Sequence, residues 1–280
     1  MDSDVLIFSE DGLTVTGVKD KEIEQVTIPD GVVIIGYDAF RDCTSLKNID
    51  IPNSVEDIKL WAFVGCTSLQ SINIPNSLHY IGWRAFSRCT SLQSIDIPDS
   101  VYEIGEEAFI GCTSLININI TKGVKIIGEA AFMGCSSLQN IDIPESVSEI
   151  KVAAFKGCSS LQNIIIPNSV TIIGGEAFCE CTSLQSIIIP ESVWEIGSFF
   201  INGCDSLRNV HFRVKNLDNV MIDDNAFGDY VVYHDVGRLY FSYDRKEKNN
   251  CILFVPPGNS CEYRHHPAFR HFKQIEIERQ

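Results

Sequence analysis

The chain has 280 residues, a formal net charge of −15 and a pI near 4.7. So acidic a surface repels phosphate backbones and anionic headgroups, which argues against nucleic acid and membrane surfaces as partners. At 45% hydrophobic it can bury a large core, yet it has no run of apolar residues long enough to span a bilayer.

The first stretch, Met1-Asp-Ser-Asp-Val-Leu-Ile-Phe8, lacks the basic start and long apolar segment of a signal peptide. A cytoplasmic location therefore stays open, beside removal of a leader. Leu6, Phe8, Leu13, Val15 and Val18 alternate around Asp11-Gly12, a hairpin signal. Residues 1–27 are expected to be an N-terminal β cap over the first coil, because a terminal repeat has no neighbour for its apolar face.

From Ile28 the chain repeats every 23 residues, with copies starting at Ile28, Ile51, Ile74, Ile97, Ile120, Ile143, Ile166 and Ile189 and no insertion or deletion between them. Leu46 and its equivalents through Leu207 occur in all eight copies, followed by Ile49 and Ile51 or their equivalents. L-x-x-I-x-I reads as a strand with inward residues at period two. Proline follows in all but one copy, where Thr121 stands, and should end the strand because it cannot donate to a ladder. A turn, a second apolar pair such as Val55 and Ile58, and a recurrent glycine come next; the glycine suggests positive φ, although Lys59 and Lys151 replace it twice. Ala62-Phe63, Cys66 and Leu69 then suit a single helical turn, with Ser68 bonding nearby backbone where the coil bends back. One such unit cannot fold alone. Its roughly eight inward side chains contribute about 2 kcal/mol each, against a backbone entropy cost of about 1–2 kcal/mol per residue. Stacked units bury each other's faces.

Eight of the eleven cysteines, Cys43 through Cys204, are spaced 23 apart, one per repeat. Zinc sites need close pairs such as C-x-x-C, and none occurs. These cysteines read as small buried apolar residues. Cys179 lies outside this series and is expected to be exposed; Cys251 and Cys261 leave a pairing open. No cofactor or metal is expected.

The pattern L-x-x-I-x-I-P with G-x-x-A-F-x-x-C-x-S-L resembles the leucine-rich repeats of the BspA-like bacterial surface-antigen family. The resemblance covers about residues 28–211 and extends to Leu253-Phe-Val-Pro-Pro-Gly258, Tyr263 and His266-Pro-Ala-Phe-Arg-His-Phe272, which look like that family's terminal cap. It implies an α/β repeat: a right-handed leucine-rich-repeat solenoid of 23-residue coils with a parallel β-sheet face, short helical turns and β caps. It also implies a cell-surface or secreted location and adhesion to extracellular-matrix or plasma proteins. Three segments follow: a β cap over 1–27, eight leucine-rich repeats over 28–211, and a C-terminal cap over 212–280. Within the last, Tyr230–His234 and Leu239–Tyr243 read as a hairpin and Lys246–Asn250 as an exposed loop.

Function on a solenoid is sought where side chains vary on a constant frame. One outward column of the main strand is small and polar throughout, from Asn48 to Asn209. The other reads Asp50, Asn73, Asp96, Asn119, Asp142, Ile165, Ile188, His211. Alternating Asp with Asn separates like charges that would otherwise face each other. It also leaves the carboxylates too far apart for a calcium cage. Ile165 and Ile188 interrupt this polar column beside His211; either the C-terminal hairpin covers them or they anchor a partner. Trp61, Tyr80, Trp83 and Tyr102 form a second candidate, an aromatic rim in the first half. Cap residues His265, His266 and His271 are adjacent in sequence but are not read as a metal site. No nucleophile elbow, P-loop, zincin or dinucleotide fingerprint appears. The expected function is non-enzymatic protein binding by a monomer. A carbohydrate-binding surface protein and an intracellular scaffold are the alternatives.

Overall fold

The computed structural model describes residues 4–228, 231–235, 238–242, 248–257 and 260–278. The L-x-x-I-x-I segments line up as a front sheet face of parallel strands in three ladders: Gln25–Thr27 with Asn48–Asp50; Ser71–Asn73, Ser94–Ile97 and Asn117–Ile120; and Asn163–Ile165, Ser186–Ile189 and Asn209–Phe212. Partners lie one repeat apart: Asn117 pairs with Ser94 and Ile118 with Ile95. Between the strands at 117–120 and 163–165 the ladder thins to isolated bridges from Asp142 to Asn119 and Ile165. The second apolar pairs build a back sheet of eleven strands. Most are two residues long, such as Tyr80–Ile81 and Glu103–Ile104, with the second residue buried. At its N-terminal edge Leu6–Phe8 pairs antiparallel with Thr14–Val18, turning at Gly12 with φ +72°. Thr14 and Val15 then pair in parallel with Ile34 and Ile35.

A wall of turns closes each coil. In the first repeat Arg41 N–H donates to Asp38 O, Cys43 N–H to Phe40 O and Leu46 N–H to Cys43 O. The expected helical turn thus takes the form of successive tight turns, and no helix forms within the repeats. Alternate amides cross to the next coil: Phe40 N–H reaches Ala62 O at 2.8 Å and Asp42 N–H reaches Val64 O at 2.7 Å. The pattern needs two residues per coil at positive φ. One precedes the alanine (Asp38, Trp61, Arg84, Glu107 and equivalents); the other precedes the cysteine (Asp42, Gly65, Arg88, Gly111 and equivalents).

The recurrent glycine at 36, 82, 105, 128, 174 and 197 is not at positive φ, which corrects the sequence reading. Its role is close approach: a Cβ on Gly105 would lie 2.3 Å from Ile81 O, and one on Gly197 would lie 2.3 Å from Gly175 N. Thr90 and Thr182 donate to the carbonyls of Thr67 and Ser159, their equivalents on the preceding coil.

The core is a set of columns. Phe40, Phe63, Phe86, Phe109, Phe132, Phe155 and Phe178 stack with centroids 5.1–5.4 Å apart and rings within 12° of parallel. Beside them runs the cysteine column, where each thiol from Cys66 to Cys204 donates to the phenylalanine carbonyl of the preceding coil, as Cys89 to Phe63 O at 3.2 Å. The leucines from Leu46 to Leu184 are fully buried.

The C-terminal segment extends the front sheet. Lys248–Val255 pairs in parallel with Asn209–Phe212, and Phe272–Ile277 pairs in parallel with Lys248–Val255. Lys248 to Asn250 therefore lie in a strand rather than in the expected loop, because Lys248 pairs with Phe272. Val231–Asp235 and Arg238–Ser242 pair antiparallel, as the hairpin reading requires. Asn225-Ala-Phe227 repeats the turn wall once more, accepting from Phe199 and Phe200 N–H. There the parallel ring stack ends: Phe227 meets Phe200 edge-on at 81° and is closed over by Phe269 and Phe272. Tyr263 is fully buried against Phe212, and its hydroxyl donates to Val214 O.

Candidate functional site

The front sheet presents its polar columns to solvent, as its alternation demands. Asp50, Asn73, Asp96, Asn119 and Asp142 are all exposed. Asp50 also accepts a hydrogen bond from Thr27 across the ladder at 3.4 Å. The character of this face changes at Ile165, which is 70% exposed. Ile188 beside it is half-buried. His211 is next, in register with Phe254, and the two rings stack at 4.7 Å and 9°. Ile252 extends the neighbouring column next to Asn209. On the far side Glu278 Oε1 lies 3.3 Å from His211 Nδ1 and 3.4 Å from Arg213. Ile165, Ile188, Ile252 and Phe254 thus form an apolar end to an otherwise polar sheet. What continues the sheet past His211 is the strand Lys248–Val255, and Ile165 stays open to solvent among the described residues.

Ile252 and Phe254 are absent from the sequence-based candidates. Leu253-Phe-Val had been read as a cap strand, and its register with Asn209–His211 is not visible without the sheet. The run Cys251-Ile-Leu-Phe-Val255 is apolar throughout and carries no alternation of its own; only in the structure are Leu253 and Val255 buried while Ile252 and Phe254 are not.

The aromatic candidates lie elsewhere, on the turn wall and the back sheet. Trp61 and Trp83 pack at 5.2 Å with a 47° tilt. The Arg84 guanidinium sits 5.1 Å from the Trp83 ring. It is held there by two bonds to the Glu107 carboxylate, at 2.8 and 3.0 Å. Tyr80 and Tyr102 approach to 6.3 Å. The Tyr80 hydroxyl is pushed above its usual pKa, first by burial and then by the Glu103 carboxylate beside it. The sequence candidates therefore belong to two surfaces rather than one.

The cysteine column is chemically quiet. Burial pushes the Cys43 thiol up to about 11 and those of Cys112 and Cys158 up to about 12. Cys179 corrects the expectation of exposure: it is fully buried, with Sγ 3.5 Å from Asn202 Oδ1. Ser87 and Asn202, which hold the same position in other coils, are buried as well. The side chain of Cys261, and with it the question of a Cys251–Cys261 pair, lies outside the described residues. In the cap, His266 Nδ1 accepts from Ala268 N–H at 3.2 Å. Among the described residues no three His, Cys, Asp or Glu side chains gather as a metal site, and no helix is long and apolar enough to cross a membrane.

The profile of the BspA type leucine-rich repeat region matches residues 18–139 and 103–230, in six copies. The chain belongs to the BspA-type leucine-rich repeat family. A leucine-rich repeat protein from Bacteroides ovatus superimposes with a TM-score of 0.72 at 26% identity, covering 98% of this chain and 67% of the other. The T. pallidum leucine-rich repeat protein aligns at 31% identity and a TM-score of 0.60, over 66% of this chain and 90% of that one. A leucine-rich cell surface protein from Faecalibacterium prausnitzii aligns at 30% identity and a TM-score of 0.51, over 72% of this chain and 63% of its own length. No curated protein matches the sequence. BspA-type repeats are a scaffold class commonly used for protein interaction, consistent with the long outward sheet described above.

Proposed function

We propose that this BspA-type repeat protein is a non-enzymatic, adhesion-type binding protein that holds a protein partner on the front sheet, at the end formed by Ile165, Ile188, His211, Ile252 and Phe254. The observation that carries the reading is the 70% exposed Ile165 at the head of an apolar patch, on a sheet whose outward positions from Asn48 to Asn163 are otherwise Asp, Asn and Ser. Exposed apolar side chains flanked by polar ones mark interaction sites, and a stacked ring pair such as His211–Phe254 presents rigid area at little entropy cost. The acidic column from Asp50 to Asp142 runs into this patch, so a partner with a basic flank is favoured and steered toward it. The cell surface is the proposed location, in line with the Faecalibacterium relative.

The test is retention of the full chain on immobilised extracellular-matrix and plasma proteins, comparing Ile165→Asp with Ile188→Asp. Loss of retention in both, with unfolding midpoints unchanged for Ile165→Asp, supports the reading. Unchanged retention in both refutes it.

A further inference from the structure

The turn wall of the first four coils carries a feature that the sheet-face reading does not use. A groove of about 510 Å³ lies there, across the side chains of Arg41, Trp61, Arg84, Ser87, Arg88 and Glu107. Three arginines converge on one groove in a chain of net charge −15. Two are committed: Arg41 pairs with Asp38 at 3.1 Å and Asp42 at 3.6 Å, and Arg84 is clamped by Glu107. Arg88 enters none of the ion pairs formed among the described residues. It also sits at φ +58°, in the position that glycine fills in five of the eight coils. An arginine here is thus a departure from the fold's own preference, with an unpaired guanidinium on a groove. Trp83 Nε1, in the adjoining Trp61–Trp83 pair, is a buried donor without a hydrogen-bond partner.

We infer that this groove is a binding site for the acidic end of an oligosaccharide, with Arg88 taking the carboxylate and Trp61 the sugar face. The volume suits a small ligand rather than a folded domain. A pyranose offers C–H edges to an indole and hydroxyls to Ser87 and Glu107, while its carboxylate matches the planar fork of a guanidinium. An extended acidic peptide is disfavoured because the wall has no ladder to offer. The amides of Trp61, Phe63 and Gly65 already donate to Trp83, Ala85 and Ser87, and those of Arg84, Phe86 and Arg88 to Glu106, Ala108 and Ile110. A polyanion is disfavoured by the charge of the whole body; a single carboxylate on a single unpaired arginine meets far less repulsion.

The test is calorimetric titration of the full chain with glucuronate-ended and sialic-acid-ended trisaccharides, their neutral counterparts, a heparin-type polyanion and an acidic hexapeptide. At least one acidic trisaccharide is expected to bind, at least tenfold more tightly than its neutral counterpart. Arg88→Gly is expected to weaken that binding at least tenfold while the thermal midpoint holds or rises, since glycine is the usual residue there. Ile165→Asp is expected to leave it unchanged, which separates this site from the sheet face. Silence of both acidic sugars, equal binding of the neutral forms, tighter binding of the polyanion or the peptide, or full binding by Arg88→Gly would each overturn the assignment.

Discussion

Gly105 and Gly111 sit six residues apart in one coil and are glycine for different reasons, so substitution should separate them. At Gly105 the backbone conformation is ordinary and space is the constraint. An alanine Cβ would meet Ile81 O at 2.3 Å and the Tyr80 hydroxyl at 2.7 Å, so the carbonyl must retreat beyond 3.0 Å. That retreat also disturbs the bond from Gly105 N–H to Ile81 O, at 3.0 Å. Overpacking against backbone costs about 1–3 kcal/mol and the weakened bond about 1 more, so Gly105→Ala should destabilise by roughly 2–4 kcal/mol. At Gly111 the constraint is conformational, with φ +73° and the nearest side-chain atom, Arg88 Cγ, at 3.7 Å. Alanine there costs about 1–2 kcal/mol, and asparagine less, because its side chain tolerates the left-handed region. The two sites should therefore rank substitutions in opposite order: alanine milder than asparagine at 105, asparagine milder than alanine at 111. Urea unfolding of the four variants, followed by far-ultraviolet circular dichroism, reads this directly. If Gly105→Asn unfolds at or above the midpoint of Gly105→Ala, close approach is not the reason for the glycine.

Three further outcomes follow from the core and the surface. Phe109→Ala removes the middle of the ring stack between Phe86 and Phe132 and should cost about 3–5 kcal/mol; a loss under about 1 kcal/mol in urea titration would show the column collapsing freely. The buried thiols bind their protons more tightly folded than unfolded, with Cys43 raised from 9.0 to about 11 and Cys112 from 9.0 to about 12. Their stabilisation is complete below pH 9 and is lost as pH rises through the folded values, by about 1.4 kcal/mol per pH unit for each thiol involved. Unfolding midpoints that stay level between pH 9 and 11 would contradict this. Native protein at pH 8 should react with a bulky thiol reagent at none of the cysteines from Cys43 to Cys204, Cys179 included; rapid labelling there by mass spectrometry would contradict the burial.

The repeat made the frame legible because each coil restates it. Leu46, Ile49, Phe63 and Cys66 are buried for reasons any single copy hints at and eight copies repeat. What failed were inferences from residue type without neighbours. Glycine was read for its backbone freedom, whereas Gly105 is needed for the space beside Ile81. The positions at positive φ just before each alanine are held by Asp38, Trp61, Arg84 and Glu107, of which only Asp38 is of a type that favours that conformation. Cys179 lies in a column where Arg41 is exposed and Lys156 half-buried while Ser87 and Asn202 are buried, so the repeat pattern did not fix its burial. The outward sheet columns were correctly placed by alternation. Their continuation through Ile252 and Phe254 was hidden because the 23-residue period lapses before them. The groove at Arg88 was missed since its residues come from four coils, and only the stacking brings Arg88 beside Trp61.

The gap in the front ladder at Asp142 has a mechanical consequence. On that wall the coils at Asn119 and Ile165 are linked through isolated bridges alone, while the back sheet runs unbroken through Ile126, Glu149 and Ile172. A rod stapled continuously along one side and loosely on the other flexes about the stapled side. The ladder is also interrupted between Asp50 and Asn73, so, pulled from its ends, the protein should gape at these two joints of the front face before the back sheet parts.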